Sequence, residues 1–142
     1  RDTDRSRGLG DVYKRQPAEV ESFAKNAQKR GIEVIIAGAG MAAHLPGVIA
    51  AMTPIPVIGV PINASLDGMD ALLAIAQMPP GIPVATTAIN GAMNAGILAA
   101  QILAVGDNAL KAKIVDFKES LKKKIVDANN ELAKVKYDYK TN

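Results

Sequence analysis

Residues 37–46, Ala-Gly-Ala-Gly-Met-Ala-Ala-His-Leu-Pro, constrain the fold of this chain more than any other stretch. They follow the apolar run Ile-Glu-Val-Ile-Ile at 32–36, which is the pattern of a buried strand in a parallel sheet. Glycine and alanine let a ligand approach the backbone, and ligands of open α/β sheets bind beyond the carboxyl ends of the strands. The segment therefore indicates either a ligand-binding turn that holds the single histidine, His44, or a tight strand-to-helix turn in which His44 only packs.

The rest of the chain alternates between short apolar runs and stretches with helical spacing. A first helix is predicted to begin at Pro17 and to end at Gly31. Another helix is predicted at 66–77, where the apolar residues Leu66, Met69, Leu73 and Ala76 share one face. The remaining elements are strands at 32–37, 56–60 and 82–87 and helices at 45–52 and 92–105. Strands that alternate with helices predict βαβ units, a parallel sheet and right-handed crossovers.

A final long helix is predicted at 106–138, with Gly106 ending the preceding helix and Asp107 as a cap. Apolar residues recur there at steps of three and four and form one stripe: Leu110, Ile114, Phe117, Leu121, Ile125, Ala128, Leu132 and Val135. A stripe of this length needs a long partner surface. The periodicity alone does not choose between a neighbouring subunit and the chain's own domain.

Composition and charge exclude several kinds of site and partner. A chain of 142 residues fits one domain, and the absence of cysteine excludes a disulfide framework and cysteine-bound metal. The net charge is +3, and Lys122, Lys123 and Lys124 stand among acidic and apolar residues, which favours a solvated helix face over a nucleic-acid site. No apolar stretch is long enough to predict a membrane span. We therefore expect neither nucleic acid nor a membrane as a partner.

Several segments in a fixed order carry a family resemblance. Besides 37–46 they are Pro-Val-Ile-Gly-Val-Pro at 56–61, Ser-Leu-Asp-Gly-Met-Asp at 65–70, Gln-Met-Pro at 77–79, Gly-Ile-Pro-Val-Ala-Thr at 81–86 and Asn-Ala-Gly-Ile-Leu-Ala-Ala-Gln-Ile-Leu at 94–103. Together they resemble the PurE family. This family comprises the catalytic subunit of phosphoribosylaminoimidazole carboxylase and its bacterial form, carboxyaminoimidazole ribonucleotide mutase. The resemblance covers residues 17–104.

The resemblance implies an α/β fold of three layers, α/β/α and flavodoxin-like, with a parallel sheet that lacks the family's first two strands. It implies that the long carboxyl-terminal helix packs on neighbouring subunits of a homo-octamer. The expected activity is a cytoplasmic step of purine biosynthesis. In that step the carboxylate of carboxyaminoimidazole ribonucleotide moves from the exocyclic amine to the imidazole ring carbon, with no cofactor and no metal. Two alternatives stay open: a carboxylase that uses carbon dioxide directly, and an inactive structural or oligomer-only fragment.

The resemblance also carries site residues over one at a time. His44 matches the second family histidine and is expected to support catalysis rather than to transfer the main proton. The residues expected to bind substrate are Gly38, Ala39, Gly40, Ala43, His44, Leu45, Ser65, Gly68 and Asp70. Ala71 and Ala74 stand where serine is common in the family, which puts local hydrogen bonds in doubt and not the fold.

Two family motifs do not occur in the 142 residues. A Gly-Ser-x-Ser-Asp loop holds phosphate and ribose, and a Ser-Ala-His-Arg-x-Pro loop supplies the proton-transfer histidine and a nucleotide-contacting arginine. Pro17 matches only the proline that ends the second motif. Residues 1–16, with scattered charges and no period, are interpreted as a non-native or disordered tail. Residues 17–142 are expected to be an incomplete PurE-like domain that is inactive as it stands.

Overall fold

A parallel sheet organises the protein in a computed structural model that describes residues 17–135. Within that range the sheet has three strands in the order β1 (Ile35–Gly40), β2 (Val57–Ile62) and β3 (Ala85–Thr86). β1 and β2 pair over their whole length, from Ile35 opposite Val57 to Gly40 opposite Ile62. β3 pairs with β2 over only two residues. The sequence-based prediction of an α/β fold with a parallel sheet is confirmed.

The described residues contain five α-helices: α1 (Pro17–Asn26), α2 (Leu45–Met52), α3 (Met69–Ala76), α4 (Ala92–Leu103) and α5 (Asn108–Ala133). Short 3₁₀ turns lie at Gln28–Arg30 and Leu66–Gly68. Local chemistry fixes several ends. Pro17 opens α1, where its missing N–H costs no hydrogen bond. The first helix was predicted to run to Gly31, but α1 ends at Asn26; Gly31, with φ 73° and its N–H donated to the Gln28 carbonyl, ends the 3₁₀ turn that follows.

Helices cover both faces of the sheet. Side chains alternate across a strand, so Ala37 and Val57 face one side while Ile58 and Val60 face the other. On the first side, α1 and α2 enclose a core with β1 and β2: Val20, Ala24, Ala27, Ile35, Ala37, Leu45, Ile49, Ile55 and Val57. α3 completes that side through Ala71 and Ile75. On the second side, α4 packs Ala95 against Ile58 and Val60. The three layers are those that the sequence predicts.

The boundaries of β1 differ from the prediction. The strand was expected at 32–37 with a turn at 38–40, but residues 38–40 are the second half of the strand. Gly38 pairs with Val60 and Gly40 with Ile62, so the ladder to β2 holds these small residues extended. A side chain on Gly40 would place its Cβ only 2.8 Å from the Cβ of Ala64. Gly40 therefore permits a close approach of two segments rather than a turn.

The predicted helix at 66–77 is also corrected. It is divided, because Leu66 and Asp67 have φ of 45° and 54° and only Met69–Ala76 is α-helical. The buried side of α3 is formed by Ala71 and Ile75. The apolar face proposed from spacing is exposed instead, with Leu66 76% and Leu73 50% accessible. Helical spacing thus predicts a helix that is present only over Met69–Ala76, and it does not tell which face of that helix the sheet covers.

Residues from Ala104 onward form a second compact unit, described here by itself. Its helix α5 begins at Asn108, and the Asp107 side chain accepts the N–H groups of Ala109 (2.8 Å) and Leu110 (3.0 Å), so the predicted cap is confirmed. The helix ends at Ala133, short of the predicted 138; residues 136–142, like the expected tail at 1–16, lie outside the described residues. No side chain of α5 is fully buried; on the apolar stripe Leu110 and Ile114 are half-buried, while Phe117, Leu121 and Ile125 are exposed. No helix within 17–135 is long and apolar enough to cross a membrane.

Candidate functional site

Three loops follow the carboxyl ends of the parallel strands: loop 1 (41–44), loop 2 (63–68) and loop 3 (87–91). Because the strands are parallel, these loops meet at one edge of the sheet, where ligands of α/β proteins bind. They also contain every non-glycine residue with positive φ in the described chain: Met41, Ala43, Leu66, Asp67 and Asn90. Such a conformation costs about 1–3 kcal/mol and is found at ligand clamps and active sites. Backbone strain thus marks this edge as the candidate site.

Loop 1 presents the imidazole of His44. The Ala43 N–H donates to the Gly40 carbonyl at 3.0 Å, which makes a tight turn directly after β1 and buries Ala43. His44 then precedes α2, and its carbonyl accepts the Val48 N–H at 3.0 Å. The His44 side chain is exposed and makes no capping hydrogen bond to α2. It is therefore accessible to a ligand, which favours the binding interpretation over the packing one.

Loop 2 and the first turn of α3 bring three predicted site residues together. The Ser65 hydroxyl donates to one carboxylate oxygen of Asp70, whose other oxygen accepts the Ala71 N–H at 2.8 Å. The Gly68 N–H donates to the Ser65 carbonyl at 2.8 Å. Gly68 has φ 81° and is buried, and a Cβ there would lie 2.6 Å from the Ile89 side chain. Only glycine fits both the dihedral and the space.

Loop 3 contains residues that the sequence analysis did not select. The Asn63 N–H donates to the Asn90 side-chain oxygen at 3.0 Å, and the Asn90 N–H donates to the Pro61 carbonyl at 2.8 Å. Loop 3 is thereby joined to loop 2. The Asn-Gly dipeptide at 90–91 was an available signal, because asparagine tolerates positive φ and this pair is typical of tight turns.

The remaining predicted residues have different environments. Ala39 and Gly40 are half-buried at the end of β1, and Gly38 is exposed on the strand. Gly40 lies against loop 2 through Ala64, so loops 1 and 2 are adjacent. Leu45 is only 5% exposed and packs in the core with α1, so it supports loop 1 from behind. The structure thus places Gly40 against loop 2 and packs Ala43 in one cluster with Ala71 and Ile75 of α3. No contact joins the exposed His44 side chain to loop 2 among the described residues.

The chemistry at this edge is that of hydrogen bonding and proton transfer. An imidazole, a Ser–Asp pair and backbone amides are present, while loops 1 to 3 contain neither lysine nor arginine. Nothing in these loops therefore anchors a phosphate by charge. Within residues 17–135 no group of three histidine, aspartate or glutamate side chains is placed to hold a metal ion.

The fold and these loops define an α/β protein with a candidate small-molecule site at the carboxyl edge of its sheet. The family model for AIR carboxylase matches residues 13–124. A match over this much of the chain shows that the chain belongs to the AIR carboxylase family, as the resemblance predicted.

Named relatives agree with this assignment. The chain is 52% identical over 124 residues to the N5-carboxyaminoimidazole ribonucleotide mutase of Thermotoga maritima, covering 87% of this chain and 72% of the relative. It is 58% identical over 108 residues to the mutase of Mycobacterium leprae, covering 75% and 63%. It is 52% identical over 122 residues to the phosphoribosylaminoimidazole carboxylase of Schizosaccharomyces pombe, covering 85% of this chain and 22% of that protein. The chain thus spans only about two thirds of the length of the two bacterial mutases.

Proposed function

We propose that this chain is part of an N5-carboxyaminoimidazole ribonucleotide mutase of purine biosynthesis, an isomerase. The observation that carries the proposal is identity of 52% and 58% to two bacterial proteins of that name. The exposed His44 in loop 1 and the Ser65–Asp70 pair near loop 2 lie at the edge where such a substrate would bind. The substrate is carboxyaminoimidazole ribonucleotide, and the reaction moves its carboxylate from the exocyclic amine to the ring carbon.

The geometry suits the middle of that reaction. Small residues at the end of β1 and in loop 1 leave room for the imidazole ring of the substrate against the backbone, and a bound ring would displace water there. Loss of carbon dioxide from the carbamate is favoured there, because desolvation disfavours a localised carboxylate charge. The carbon dioxide then stays within reach of the nucleophilic ring carbon. A base finally removes the ring proton, a task suited to histidine near neutral pH.

We assign His44 a supporting role in this sequence of steps. It orients the carboxylate or the carbon dioxide by hydrogen bonding, while the family's main proton-transfer histidine belongs to a loop that the 142 residues do not contain. Gly38, Ala39, Gly40 and Ala43 line the base and carboxylate of the substrate. Ser65, Gly68 and Asp70 hold the opposite side of the site, and Leu45 shapes the wall from within the core.

The carboxylase that uses carbon dioxide directly remains the second candidate. Identity of 52% to the fission yeast carboxylase favours it, although that stretch is only 22% of the yeast protein. Substrates separate the two. A mutase consumes carboxyaminoimidazole ribonucleotide, whereas a carboxylase consumes aminoimidazole ribonucleotide with dissolved carbon dioxide.

We further propose that the intact protein is a cytoplasmic homo-octamer. Two exposed apolar surfaces support assembly: the face of α3 with Met69 and Leu73, and the stripe of α5 with Phe117, Leu121 and Ile125. Contiguous apolar surface of this kind marks protein interfaces. The absence of cysteine suits a reducing compartment. Light scattering of the purified protein tests the octamer directly, and a monodisperse monomer would contradict it.

The decisive experiment compares two chains. One is the 142-residue chain; the other, the extended chain, joins Pro17 to the preceding segment of the Thermotoga maritima relative. We expect the extended chain to convert carboxyaminoimidazole ribonucleotide above its spontaneous rate and the 142-residue chain not to. Losing one acid–base group alone typically costs about 10²–10⁴ in rate. Turnover of aminoimidazole ribonucleotide alone by the extended chain would favour the carboxylase, and no turnover of either substrate would contradict the proposal.

A further inference from the structure

We propose that Asn90 is a positioning residue that holds loop 2 in its substrate-binding geometry by replacing a strand carbonyl with its side chain. That loop 2 binds substrate rests on the proposed function. That Asn90 holds loop 2 in place rests on the geometry alone. Three contacts carry it: the Asn63 N–H to the Asn90 side-chain oxygen, the Asn90 N–H to the Pro61 carbonyl, and Ile89 against Gly68.

The ladder between β2 and β3 shows why a substitute is needed. The Thr87 N–H donates to the Gly59 carbonyl at 3.0 Å. Bonds of a parallel ladder are evenly spaced, so the next carbonyl on β2, that of Pro61, would accept from residue 89. It accepts instead from Asn90, at 2.8 Å. The chain after β3 therefore contains one more residue than a regular ladder would. As a result no backbone carbonyl of the ladder accepts the Asn63 N–H, and the side-chain oxygen of Asn90 accepts it instead.

The turn that inserts this residue also explains its identity. The Gly91 N–H donates to the Ala88 carbonyl at 2.8 Å, so residues 88–91 form a tight turn with Asn90 in third place. Asn90 has φ 57°, and a positive φ at that place is what a type II turn requires. Glycine and asparagine are the residues that adopt it readily. Glycine would satisfy the turn but would leave the Asn63 N–H without its acceptor, and asparagine satisfies both.

The same turn controls the far end of loop 2. Ile89 stands second in the turn, and its side chain reaches Gly68, where a Cβ would come within 2.6 Å of it. Loop 2 is therefore fixed at its start through Asn63 and at its end through Gly68. Between those two points lies Ser65, which the proposed function assigns to the substrate. A change at Asn90 should thus reach Ser65 without any contact between Asn90 and substrate.

Two substitutions separate the roles of Asn90. Asn90→Gly keeps the positive φ and removes the acceptor, whereas Asn90→Asp keeps an acceptor oxygen at the same position. We expect hydrogen exchange of the Asn63 amide, measured by NMR, to become about fivefold faster in Asn90→Gly and to stay near the parent rate in Asn90→Asp. Asn63→Ala is the matched control, because it removes a side chain and keeps the N–H that Asn90 binds. Amides of the β1–β2 ladder should be unchanged in all three.

The kinetic arm uses the extended chain. We expect Asn90→Gly to raise KM for carboxyaminoimidazole ribonucleotide about fivefold with a smaller change in kcat, and Asn90→Asp to restore KM. A purely structural role would lower the thermal midpoint and speed exchange across the core as well. Unchanged Asn63 exchange in Asn90→Gly, or equal effects of Asn90→Gly and Asn90→Asp, would overturn the inference.

Failure of the proposed function has a different signature. In that case the parent extended chain shows no turnover, while the exchange arm still decides whether Asn90 holds loop 2. If a variant does not fold, the hydrogen bond can still be tested in the parent chain. There the temperature coefficient of the Asn63 amide proton chemical shift is measured by NMR. A small coefficient supports the hydrogen bond, and a coefficient typical of a solvent-exposed amide contradicts it.

Discussion

Two regions built on the same three strands differ in side-chain size and in backbone conformation. The core on the α1–α2 side is built from aliphatic side chains in ordinary backbone conformations, such as Ile49, which is 1% exposed. The loops at the carboxyl edge use small residues, and five non-glycine residues there have positive φ. Stability is concentrated where side chains are large, and the candidate chemistry where the backbone itself is exposed and strained. We therefore expect substitutions in the first region to change the free energy of unfolding and those in the second to change binding.

The largest effect is expected from the core. Ile49→Ala removes buried methyl and methylene groups between α1, α2 and the sheet, and should lower the free energy of unfolding by about 2–5 kcal/mol. Urea titration followed by circular dichroism measures it. Met93→Ala is the control, since Met93 is 71% exposed on α4, outside the two apolar surfaces proposed for assembly, and its loss should cost much less. Equal losses for the two variants would mean that the core is not where stability lies.

Next is a test of how closely α3 approaches the sheet. A Cβ on Gly59 would lie 2.3 Å from the Ile75 Cγ2 and 3.1 Å from the Val84 Cγ1. Both neighbours are packed against the sheet, so Gly59→Ala should destabilise the protein by about 1–3 kcal/mol. Gly96→Ala is the opposite control. Gly96 lies within α4 with open space around it, and alanine should stabilise that helix by about 0.5–1 kcal/mol. A stabilising Gly59→Ala would contradict the packing of Ile75.

His44→Asn should separate function from stability. Loss of a main acid–base group typically lowers the rate by a factor of about 10²–10⁴. In the extended chain we expect His44→Asn to lower turnover by a smaller factor. The thermal midpoint and the oligomer should be unchanged, because the imidazole is exposed. Replacing the histidine of the added loop should be more damaging. A reversed order of severity would show that His44 carries the main proton transfer.

Sequence alone predicted the fold well because its determinants are local. Pro17 and Asp107 specify helix starts by their own dihedrals or hydrogen bonds, and those starts are where the structure has them, while Gly31 ends the 3₁₀ turn after α1. The turn expected at 38–40 failed for a non-local reason, because pairing with β2 keeps Gly38 and Gly40 in the strand. The Asn90–Asn63 contact joins residues that are 27 positions apart, and no spacing rule reaches so far. The site residues are predicted by resemblance and stay predictions, whereas the contacts that position them are seen only in the structure.

The smallest effect tests electrostatics far from the carboxyl edge. On the surface of α1 the Lys25 ammonium donates a hydrogen bond to the Glu21 carboxylate, and this bond and its charge hold the pKa of Glu21 below its ordinary value. A pKa lowered by folding gives stability that is present above the unfolded pKa and is lost as pH falls through the folded one. Lys25→Met should therefore raise the pKa of Glu21 in an NMR titration of its carboxyl carbon and flatten the acid limb of stability slightly. Lys29→Met, a change in the neighbouring 3₁₀ turn, should leave Glu21 as it is. Because both partners are exposed, the effect on stability should be the least of those described here, and a shift comparable to that of Ile49→Ala would contradict the contrast between surface and core.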